Sequence, residues 1–253
     1  MATLGRLYLV PAPLDFGCAQ PLPLTESMPA GTLAAAARIT HWISENAKST
    51  RAFLKRVNEL HPLAATLQEQ QITELPREVH KKGDHHGNFD ARPLLAAALA
   101  GHDMGLASEA GMPAIADPGS SVVRAAQDLG MEVIALQGPV SLVLALAASG
   151  LNGQSFAFAG YLPQQPAERV QRIRELESLA LKTGQTQIFI ETPYRNLALW
   201  QSLLQTLQHN TRLAVSSGLM TPAARSMGGT VKNWKPKAPP VDGDTPAVFL
   251  IGR

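Results

Sequence analysis

The sequence predicts an α/β protein, and three observations support this fold class. Short apolar runs rich in β-branched and aromatic residues alternate with helical patterns, which is typical of crossover connections between strands. The 253 residues are 45% hydrophobic and 17% charged, so the chain has enough apolar side chains for a buried core. Its length allows one or two domains. We therefore expect two α/β domains, 1–116 and 117–253, with the boundary near Ala116.

The first half contains four predicted strands separated by helical segments. Pro11 and Pro13 end the first strand because proline cannot donate to a strand ladder. Asp90 is a suitable N-cap for a helix, and Gly101 occupies its C-terminal cap position. The predicted strands are 7–10, 39–43, 71–75 and 102–107, and the predicted helices are 32–37, 48–57 and 93–100.

The second half repeats this alternation. Ser120 or Ser121 is expected to cap the helix that ends near Leu129. The uncharged run 133–151 is long enough for a membrane span, but Gln137, Gly138 and Pro139 interrupt it, so we predict a strand, a loop and a helix instead. The predicted strands are 133–136, 156–160, 186–190, 213–216 and 247–251, and the predicted helices are 120–129, 141–149, 166–181 and 195–207, the third with Val170, Ile173, Leu176 and Leu179 on one face.

The composition excludes several functional classes. Twenty-two Lys and Arg against 20 Asp and Glu leave a net charge of +2, so RNA would have to bind a local basic patch. The single cysteine, Cys18, excludes an internal disulfide and a cysteine-built metal site, which favours a reducing, cytoplasmic location.

Common catalytic and nucleotide motifs are absent. There is no Gly-x-Gly-x-x-Gly, no phosphate loop, no His-Glu-x-x-His and no Gly-x-Ser-x-Gly. His85 and His86 are adjacent, and neighbouring side chains do not face the same way, so we expect a loop there and no metal site.

Five loops rich in Gly, Pro and small residues follow predicted strands, where ligands bind in open α/β sheets. Small residues allow a ligand to approach the backbone closely. Any one of these loops is most simply a structural turn, but together they indicate a ligand site. They span residues 11–17, 44–51, 108–119, 138–141 and 191–195.

Six ordered motifs resemble the tetrapyrrole methylase superfamily of S-adenosylmethionine-dependent methyltransferases, and within it the ribosomal RNA small-subunit methyltransferase I branch. The string Ser-Glu-Ala-Gly-Met-Pro-Ala-Ile-Ala-Asp-Pro-Gly (108–119) is the most specific. The others are Leu-Tyr-Leu-Val-Pro (7–11), Gly-Pro (138–139), Ala-Ser-Gly-Leu (148–151), Phe-Ala-Phe-Ala-Gly-Tyr-Leu-Pro (156–163) and Ile-Glu-Thr-Pro-Tyr-Arg (190–195).

The resemblance implies two α/β domains with S-adenosylmethionine in the cleft between them, usually a homodimer, and no metal. Glu109 could accept hydrogen bonds from a ribose or from the ammonium group of the methionine moiety. By residue matching, the implied donor contacts are Pro11, Leu14, Ser108, Glu109, Ala110, Gly111, Met112, Val140, Ser141, Ile190, Glu191, Pro246 and Ala247.

For a ribose 2′-hydroxyl acceptor, a base or a cationic stabiliser of the developing oxyanion should help. The segment Ser-Glu-Asn-Ala-Lys-Ser-Thr-Arg (44–51) is similar to the branch's Glu-Asp-Thr-Arg segment and supplies Glu45, Lys48 and Arg51 as catalytic candidates. Asn46 replaces a carboxylate there, and Lys48 replaces a planar guanidinium by a point charge. A plain helix start is the alternative interpretation of this segment.

Two other departures change the site. The branch has Ile-Gly-Asn-Leu in the first loop, whereas this chain has Leu14, Asp15, Phe16 and Gly17. The serine that usually follows Gly-Pro is Val140 here, and Ser141 is displaced by one position. These departures leave two alternatives to RNA methylation open: C-methylation of a tetrapyrrole, and a donor-binding regulatory module without turnover.

Three basic clusters are candidates for RNA contact. Glu168 and Glu175 flank the second cluster, so we expect ordinary surface pairing there. The first is the preferred phosphate contact because its neighbours belong to the acceptor side in the family. The clusters are Arg51, Lys55 and Arg56; Arg169, Arg172 and Arg174; and Lys232, Lys235 and Lys237.

Overall fold

The computed structural model describes residues 3–15, 18, 20–82, 84 and 89–253, and the chain divides into two compact units. The first unit is Met1–Val140 and the second is Ser141–Arg253. Each unit has one five-stranded sheet with helices packed against it, so the predicted α/β class is confirmed.

The first unit contains an all-parallel sheet of order β3-β2-β4-β1-β5. Its strands are β1 Leu7–Leu9, β2 His41–Ser44, β3 Gln71–Glu74, β4 Met104–Ala107 and β5 Val133–Ala135. Its helices are α1 Leu24–Ser27, α2 Ala30–Arg38, α3 Ala47–Asn58, α4 Arg77–Lys82, α5 Ala96–Leu99, which a 3₁₀ turn at Arg92–Leu95 precedes, and α6 Ser120–Asp128.

The sheet of the first unit has an apolar core on each face, as expected for a parallel sheet covered by helices. Successive strand residues point to opposite faces, so Trp42 packs against α2 and α3 whereas Ile43 packs against α5 and α6. Both side chains are essentially fully buried. The strands are therefore held rigidly, and the loops that follow them start from fixed positions.

The expected boundary near Ala116 differs from the observed division after Val140. Strand β5 lies beyond Ala116 but pairs with β1 of the first sheet, and Val122 of α6 belongs to a core of the first unit. Sheet pairing therefore extends the first unit by one helix and one strand.

The expected serine cap of α6 is also corrected. Gly119 is the N-cap residue, with φ 137°, and neither Ser120 nor Ser121 caps the helix through its side chain. Their hydroxyl groups instead donate to the carboxylate of Asp84, which also accepts from the backbone N–H groups of Gly119 and Ser121. A carboxylate distant in the sequence thus satisfies the helix N-terminus.

The second unit contains a mixed sheet of order β6-β7-β10-β8-β9, in which β6 and β7 are parallel and the other pairs are antiparallel. Its strands are β6 Phe156–Tyr161, β7 Thr186–Glu191, β8 Arg212–Ser217, β9 Arg225–Thr230 and β10 Ala247–Gly252. Its helices are α7 Ser141–Ser149, α8 Pro166–Thr183, α9 Asn196–Thr206, which a 3₁₀ turn at Pro193–Arg195 precedes, and α10 Val231–Trp234.

Aromatic side chains dominate the larger core of the second unit. Phe189 and Phe249 stack across β7 and β10 at 6.1 Å, and Trp200 meets Trp234 edge to face at 5.1 Å. Strand β9 was not predicted because its sequence Arg-Ser-Met-Gly-Gly-Thr contains two glycines and lacks the alternation of a half-buried strand.

Two sequence predictions on helices have different outcomes. Helix α8 buries Ile173, Leu176, Glu177 and Ala180, whereas Leu179, expected on the buried face, is 41% exposed. The uncharged run 133–151 folds as strand β5, a loop and helix α7, as predicted. Across the described ranges, no helix combines the length and apolar composition needed to cross a membrane.

Candidate functional site

Loops that follow the parallel strands of the first unit meet at one edge of its sheet. Ala12, after β1, and Gly111, after β4, exchange two backbone hydrogen bonds of 2.9 Å. Parallel strands place all their carboxyl ends at the same edge, where open α/β sheets bind ligands. Two of the predicted donor-binding loops are thus joined directly.

The same loops approach each other so closely that glycine is required. Gly111 has φ +77°, and a Cβ there would lie 3.2 Å from Leu14 Cδ2 and 3.7 Å from the carbonyl oxygen of Pro139. A Cβ on Gly138 would lie 2.3 Å from Pro11 Cγ, which no structure tolerates without movement. Three predicted loops therefore pack against one another through residues 11–14, Gly111 and residues 138–139.

Glu45 joins this edge from β2. Its backbone N–H donates to the carbonyl oxygen of Ala107 at 3.1 Å, and its Oε2 accepts from the backbone N–H of Glu109 at 3.2 Å. The structure therefore brings the catalytic candidate Glu45 to the predicted donor residues Ser108 and Glu109. Ser108 is buried, and Glu109, Ala110 and Met112 are half-buried.

Asp117 completes a group of carboxyls with Glu45 and Glu109. Burial raises the pKa of Asp117 to about 7, and the nearby charges of Glu45 and Glu109 add to this, while a hydrogen bond with the Ser108 side chain opposes it. The sequence places Asp117 in the predicted ligand loop 108–119 but indicates no individual role for it. The available signal was its position in the same string as Ser108 and Glu109.

The loop that presents Asp117 is strained and anchored. Ala114 and Ala116 both have φ +64°, which a side chain rarely adopts. Beyond them, Asp84 is 5% exposed and accepts four hydrogen bonds of 2.5 to 2.9 Å from residues 119–121. Burial raises the pKa of Asp84, but hydrogen bonds from Ser121, Gly119 and Ser120 outweigh this and lower it overall. Sequence analysis did not identify this anchor.

The other two catalytic candidates lie on α3. Asn46 is the N-cap of this helix and accepts from the backbone N–H groups of Lys48 at 2.9 Å and Ser49 at 3.3 Å. The amide oxygen thus does what a carboxylate would do at this cap. The side chains of Lys48 and Arg51 are exposed.

The altered first loop is tied to α3. Arg56 Nη1 lies 3.0 Å from Asp15 Oδ2, and Arg56 Nη2 donates to the carbonyl oxygen of Leu22 at 2.7 Å. Arg56 is therefore paired with Asp15 and remains partly exposed, and the phosphate contact expected of its cluster stays a prediction. Phe16 and Gly17, which belong to the same departure from the branch, lie outside the described residues.

The predicted donor residues of the second unit cluster at one end of its sheet. Ala247 lies opposite Glu191 in the β7–β10 register, and the exposed residue Pro246 accepts a hydrogen bond from Gly218 N–H through its carbonyl at 3.0 Å. Ile190 is half-buried. Val140 is the last residue of the first unit, and Ser141 begins α7.

The Glu191 side chain is fully buried and paired with a cation. Its Oε1 accepts from Arg195 Nε at 3.0 Å and from the backbone N–H of Thr192 at 2.7 Å, and it forms an ion pair with Arg195 Nη2 at 2.8 Å. Its Oε2 has no hydrogen-bond partner among the described residues. The strand end in the second unit therefore carries a carboxylate that one guanidinium neutralises.

No group of three or more His, Cys, Asp or Glu residues suited to a metal ion occurs in the part of the chain that the structure describes. His85 and His86, for which a loop was predicted, lie outside that part.

An all-parallel sheet with close-packed loops at its carboxyl edge, followed by a mixed sheet, defines a two-unit α/β protein. Residues 30–233 match the model of the family described as Tetrapyrrole (Corrin/Porphyrin) Methylases, and the chain belongs to this family.

Among curated proteins, several relatives are named Ribosomal RNA small subunit methyltransferase I. The Vibrio cholerae protein is 36% identical over 124 residues, which is 49% of this chain and 42% of the relative. The Synechocystis protein is 37% identical over 60% of this chain and 52% of its own length. The Streptococcus pyogenes protein is 29% identical over 76% and 58%. The matches thus span about half the length of these relatives.

Two solved structures share the fold across nearly the whole chain. Uroporphyrin-III-C-methyltransferase from Thermus thermophilus aligns with a TM-score of 0.54 at 20% identity, covering 98% of this chain and 94% of that one. The methyltransferase CobJ aligns with a TM-score of 0.57 at 17% identity and the same coverage. At these identities the comparison establishes the fold alone.

Proposed function

We propose that this protein is an S-adenosylmethionine-dependent methyltransferase that acts on RNA, at a ribose 2′-hydroxyl of small-subunit rRNA. The match of residues 30–233 to the methylase family carries the proposal of methyl transfer. The proposal of an RNA acceptor is supported by the names of the relatives. The matches to these relatives cover about half of the relatives' length.

The loops of the first unit fit the methyl donor. Gly111 and Gly138 lie where a Cβ would meet neighbouring residues, so they leave backbone groups at the edge of the sheet. S-adenosylmethionine supplies a methyl group on a positively charged sulfur. The carboxyls of Glu45, Glu109 and Asp117 would favour a cationic ligand near this edge over an anionic one.

Each donor residue has a proposed part. Pro11, Leu14, Ala110 and Met112 provide apolar cover, and Ser108 and Glu109 provide polar contacts. Val140, Ser141, Ile190, Glu191, Pro246 and Ala247 complete the donor site in this proposal.

Proton removal from the acceptor hydroxyl is assigned to the carboxyl groups. A carboxyl whose pKa is about 7 exchanges its proton readily at neutral pH, as a general base requires, and Asp117 has this property beside Glu45. In the proposed step this carboxyl pair accepts the hydroxyl proton as the acceptor oxygen bonds to the methyl carbon. The donor would supply that methyl group by breaking its carbon–sulfur bond and leaving as neutral S-adenosylhomocysteine. Lys48 and Arg51, which are exposed on α3, are assigned to the anionic acceptor strand.

Methyl transfer is tested with radiolabelled donor and three acceptors: deproteinised rRNA, assembled small subunits and a tetrapyrrole precursor. We expect label in RNA and none in the tetrapyrrole. Label only in the tetrapyrrole would replace the proposed acceptor. Donor binding without transfer to any acceptor would identify a donor-binding module instead of an enzyme.

Donor binding is tested by calorimetric titration with S-adenosylmethionine. Glu109→Gln should weaken the affinity by roughly threefold to tenfold, because one charge near a cation at a protein surface contributes on the order of 1 kcal/mol. Glu59→Gln, an exposed carboxylate at the end of α3, is the control and should bind as the wild type does. Equal affinities for all three proteins would remove Glu109 from the site. The homodimer implied by the resemblance and the cytoplasmic location favoured by the single cysteine stay predictions.

A further inference from the structure

The charge of this chain is distributed unevenly. Residues 192–241 contain no Asp or Glu and six Lys or Arg, whereas the whole chain has a net charge of only +2. The rest of the chain is therefore acidic, with a net charge of −4. Such an asymmetry indicates where a polyanion would bind, even though the total charge does not.

Most of these cations lie around α10, at one end of the second sheet. The backbone N–H of Lys232 donates to the carbonyl of His209 at 2.9 Å, and Arg212 lies opposite Thr230 in the β8–β9 register. Lys235 and Lys237 follow on the same short segment. We call this surface the α10 patch; it consists of His209, Arg212, Lys232, Lys235 and Lys237.

The lysines of the α10 patch are exposed and make no ion pair among the described residues. Lys235 Nζ lies 2.9 Å from His209 Nε2, and Lys237 Nζ lies 5.4 Å from the centre of the Trp234 ring. Neither an imidazole nor an aromatic ring carries the negative charge that would pair with an ammonium. Their charges therefore remain available to a partner.

The α10 patch lies at the opposite end of the second sheet from the predicted donor residues. Arg212 begins β8, whereas Ser217 ends it beside Ala247, which in turn lies opposite Glu191. A six-residue strand spans roughly 20 Å. The patch and these donor residues therefore cannot contact the same nucleotide.

We propose that the α10 patch is a docking surface for RNA phosphates that flank the acceptor nucleotide. This inference rests on the proposed RNA acceptor. Lysine ammonium groups act as point charges that contact phosphate without reading bases, so the surface would position RNA without selecting its sequence. The apolar residues of α10, Val231 and Trp234, are buried in the core, so the patch lacks the exposed apolar face that a membrane-surface helix needs.

The test measures the affinity for deproteinised small-subunit rRNA as a function of salt concentration. The variant replaces Lys232, Lys235 and Lys237 by Gln. The control replaces Arg38, Arg77 and Arg124, three exposed cations of the first unit, by Gln and removes the same charge. A third protein, in which the three lysines are Arg, keeps the charge of the patch.

Each phosphate contact adds about 0.7 to 0.9 to the slope of log affinity against log salt. Loss of three contacts should reduce the magnitude of the slope by about 2 to 3. With the affinity at 1 M salt unchanged, binding near 0.1 M salt should weaken roughly a hundredfold to several hundredfold. The control and the Arg variant should keep the wild-type slope. Donor affinity, measured by titration, should be the same in all four proteins.

Two results would overturn this inference: an unchanged slope in the Lys→Gln variant, or an equal loss in the charge-matched control. A variant that binds rRNA normally but loses binding to phosphatidylglycerol vesicles would replace RNA by a lipid surface. If wild-type protein binds rRNA through these lysines yet transfers no methyl group to it, the α10 patch stands and the proposed activity fails. If wild-type protein methylates rRNA but the Lys→Gln variant keeps the wild-type salt slope, the proposed activity stands and the role of the α10 patch fails.

Discussion

The two sheets gather candidate site residues at a strand edge by different means. In the first unit, parallel strands place successive loops at one edge, and the Ala12–Gly111 backbone pair joins two of them. In the second unit, β10 runs antiparallel to β7, so the first residue of one strand, Ala247, meets the last residue of the other, Glu191. Loops thus supply the candidate residues of one unit, and strand termini supply most of those of the other.

The carboxyl-terminal edge of the first sheet is called the first edge here, and the end of the second sheet at Glu191 and Ala247 is called the second edge. The carboxyl groups at these two edges have neighbours of opposite charge. Asp117 is partly buried beside Glu45 and Glu109, which have the same charge, whereas Glu191 is buried against the guanidinium of Arg195. Neutralising a carboxyl should therefore stabilise the first edge and destabilise the second. The like-charged carboxyls at the first edge lower the stability of the fold, as strained or unfavourable arrangements at ligand sites commonly do.

The largest expected effect concerns the anchor of the first edge. Asp84→Ala removes four hydrogen bonds and leaves buried N–H and hydroxyl groups unpaired, so the free energy of unfolding should fall by about 3 kcal/mol. Urea denaturation measures this change. Because the pKa of Asp84 is lowered, its contribution is complete above the ordinary Asp pKa and is lost as the pH falls through the lowered value. If Asp84→Ala unfolds at the same urea concentration as the wild type at pH 7, Asp84 does not anchor this loop.

The next effect concerns the contact between the first loop and Gly138. Gly138→Ala would place a methyl group 2.3 Å from Pro11 Cγ and should cost about 2 to 3 kcal/mol of unfolding free energy, with weaker donor binding. Gly153→Ala is the matched control, because a Cβ at Gly153 has no atom within 4 Å. Similar losses of stability in both variants would show that close packing at Gly138 is not the cause.

The third prediction tests whether neutralising a carboxyl at the first edge raises the free energy of unfolding. With its raised pKa, native Asp117 holds a proton between about pH 4 and pH 7 that the unfolded chain has released, so stability falls across this window as pH rises. Asp117→Asn removes this dependence. We expect little difference from wild type near pH 4 and about 2 kcal/mol higher stability at pH 8, measured by urea denaturation. A constant difference at both pH values would refute it.

The smallest expected effect concerns the second edge, where neutralising a carboxyl should lower the free energy of unfolding. Glu191→Gln keeps an acceptor for the Thr192 N–H but removes the charge that pairs with Arg195, so the unfolding free energy should fall by about 1 to 2 kcal/mol. The thermal midpoint measures it. If Glu191→Gln is more stable than the wild type, neutralising a carboxyl does not have opposite effects at the two edges.

Sequence analysis predicted the features that local chemistry determines. The bounds of α7 were predicted correctly because Pro139 and Gly150 flank a purely apolar run. The bounds of β9 were not, because its pairing with β8, and not its own residues, creates the strand. Asp84 was missed for a similar reason, since its partners lie about 35 residues away and no motif connects them.

Strand β1 lies between β4 and β5 in the first sheet, and this position has a consequence for how the chain is made. Leu7 pairs with Met104 on one side and with Val133 on the other, so β1 is synthesised before both partner strands, which follow on the order of 100 residues later. Until then the apolar segment around Val10 stays uncovered. Synthesis rate and chaperone access during this interval therefore determine the yield of native protein, and slowing translation between β1 and β4 should increase aggregation.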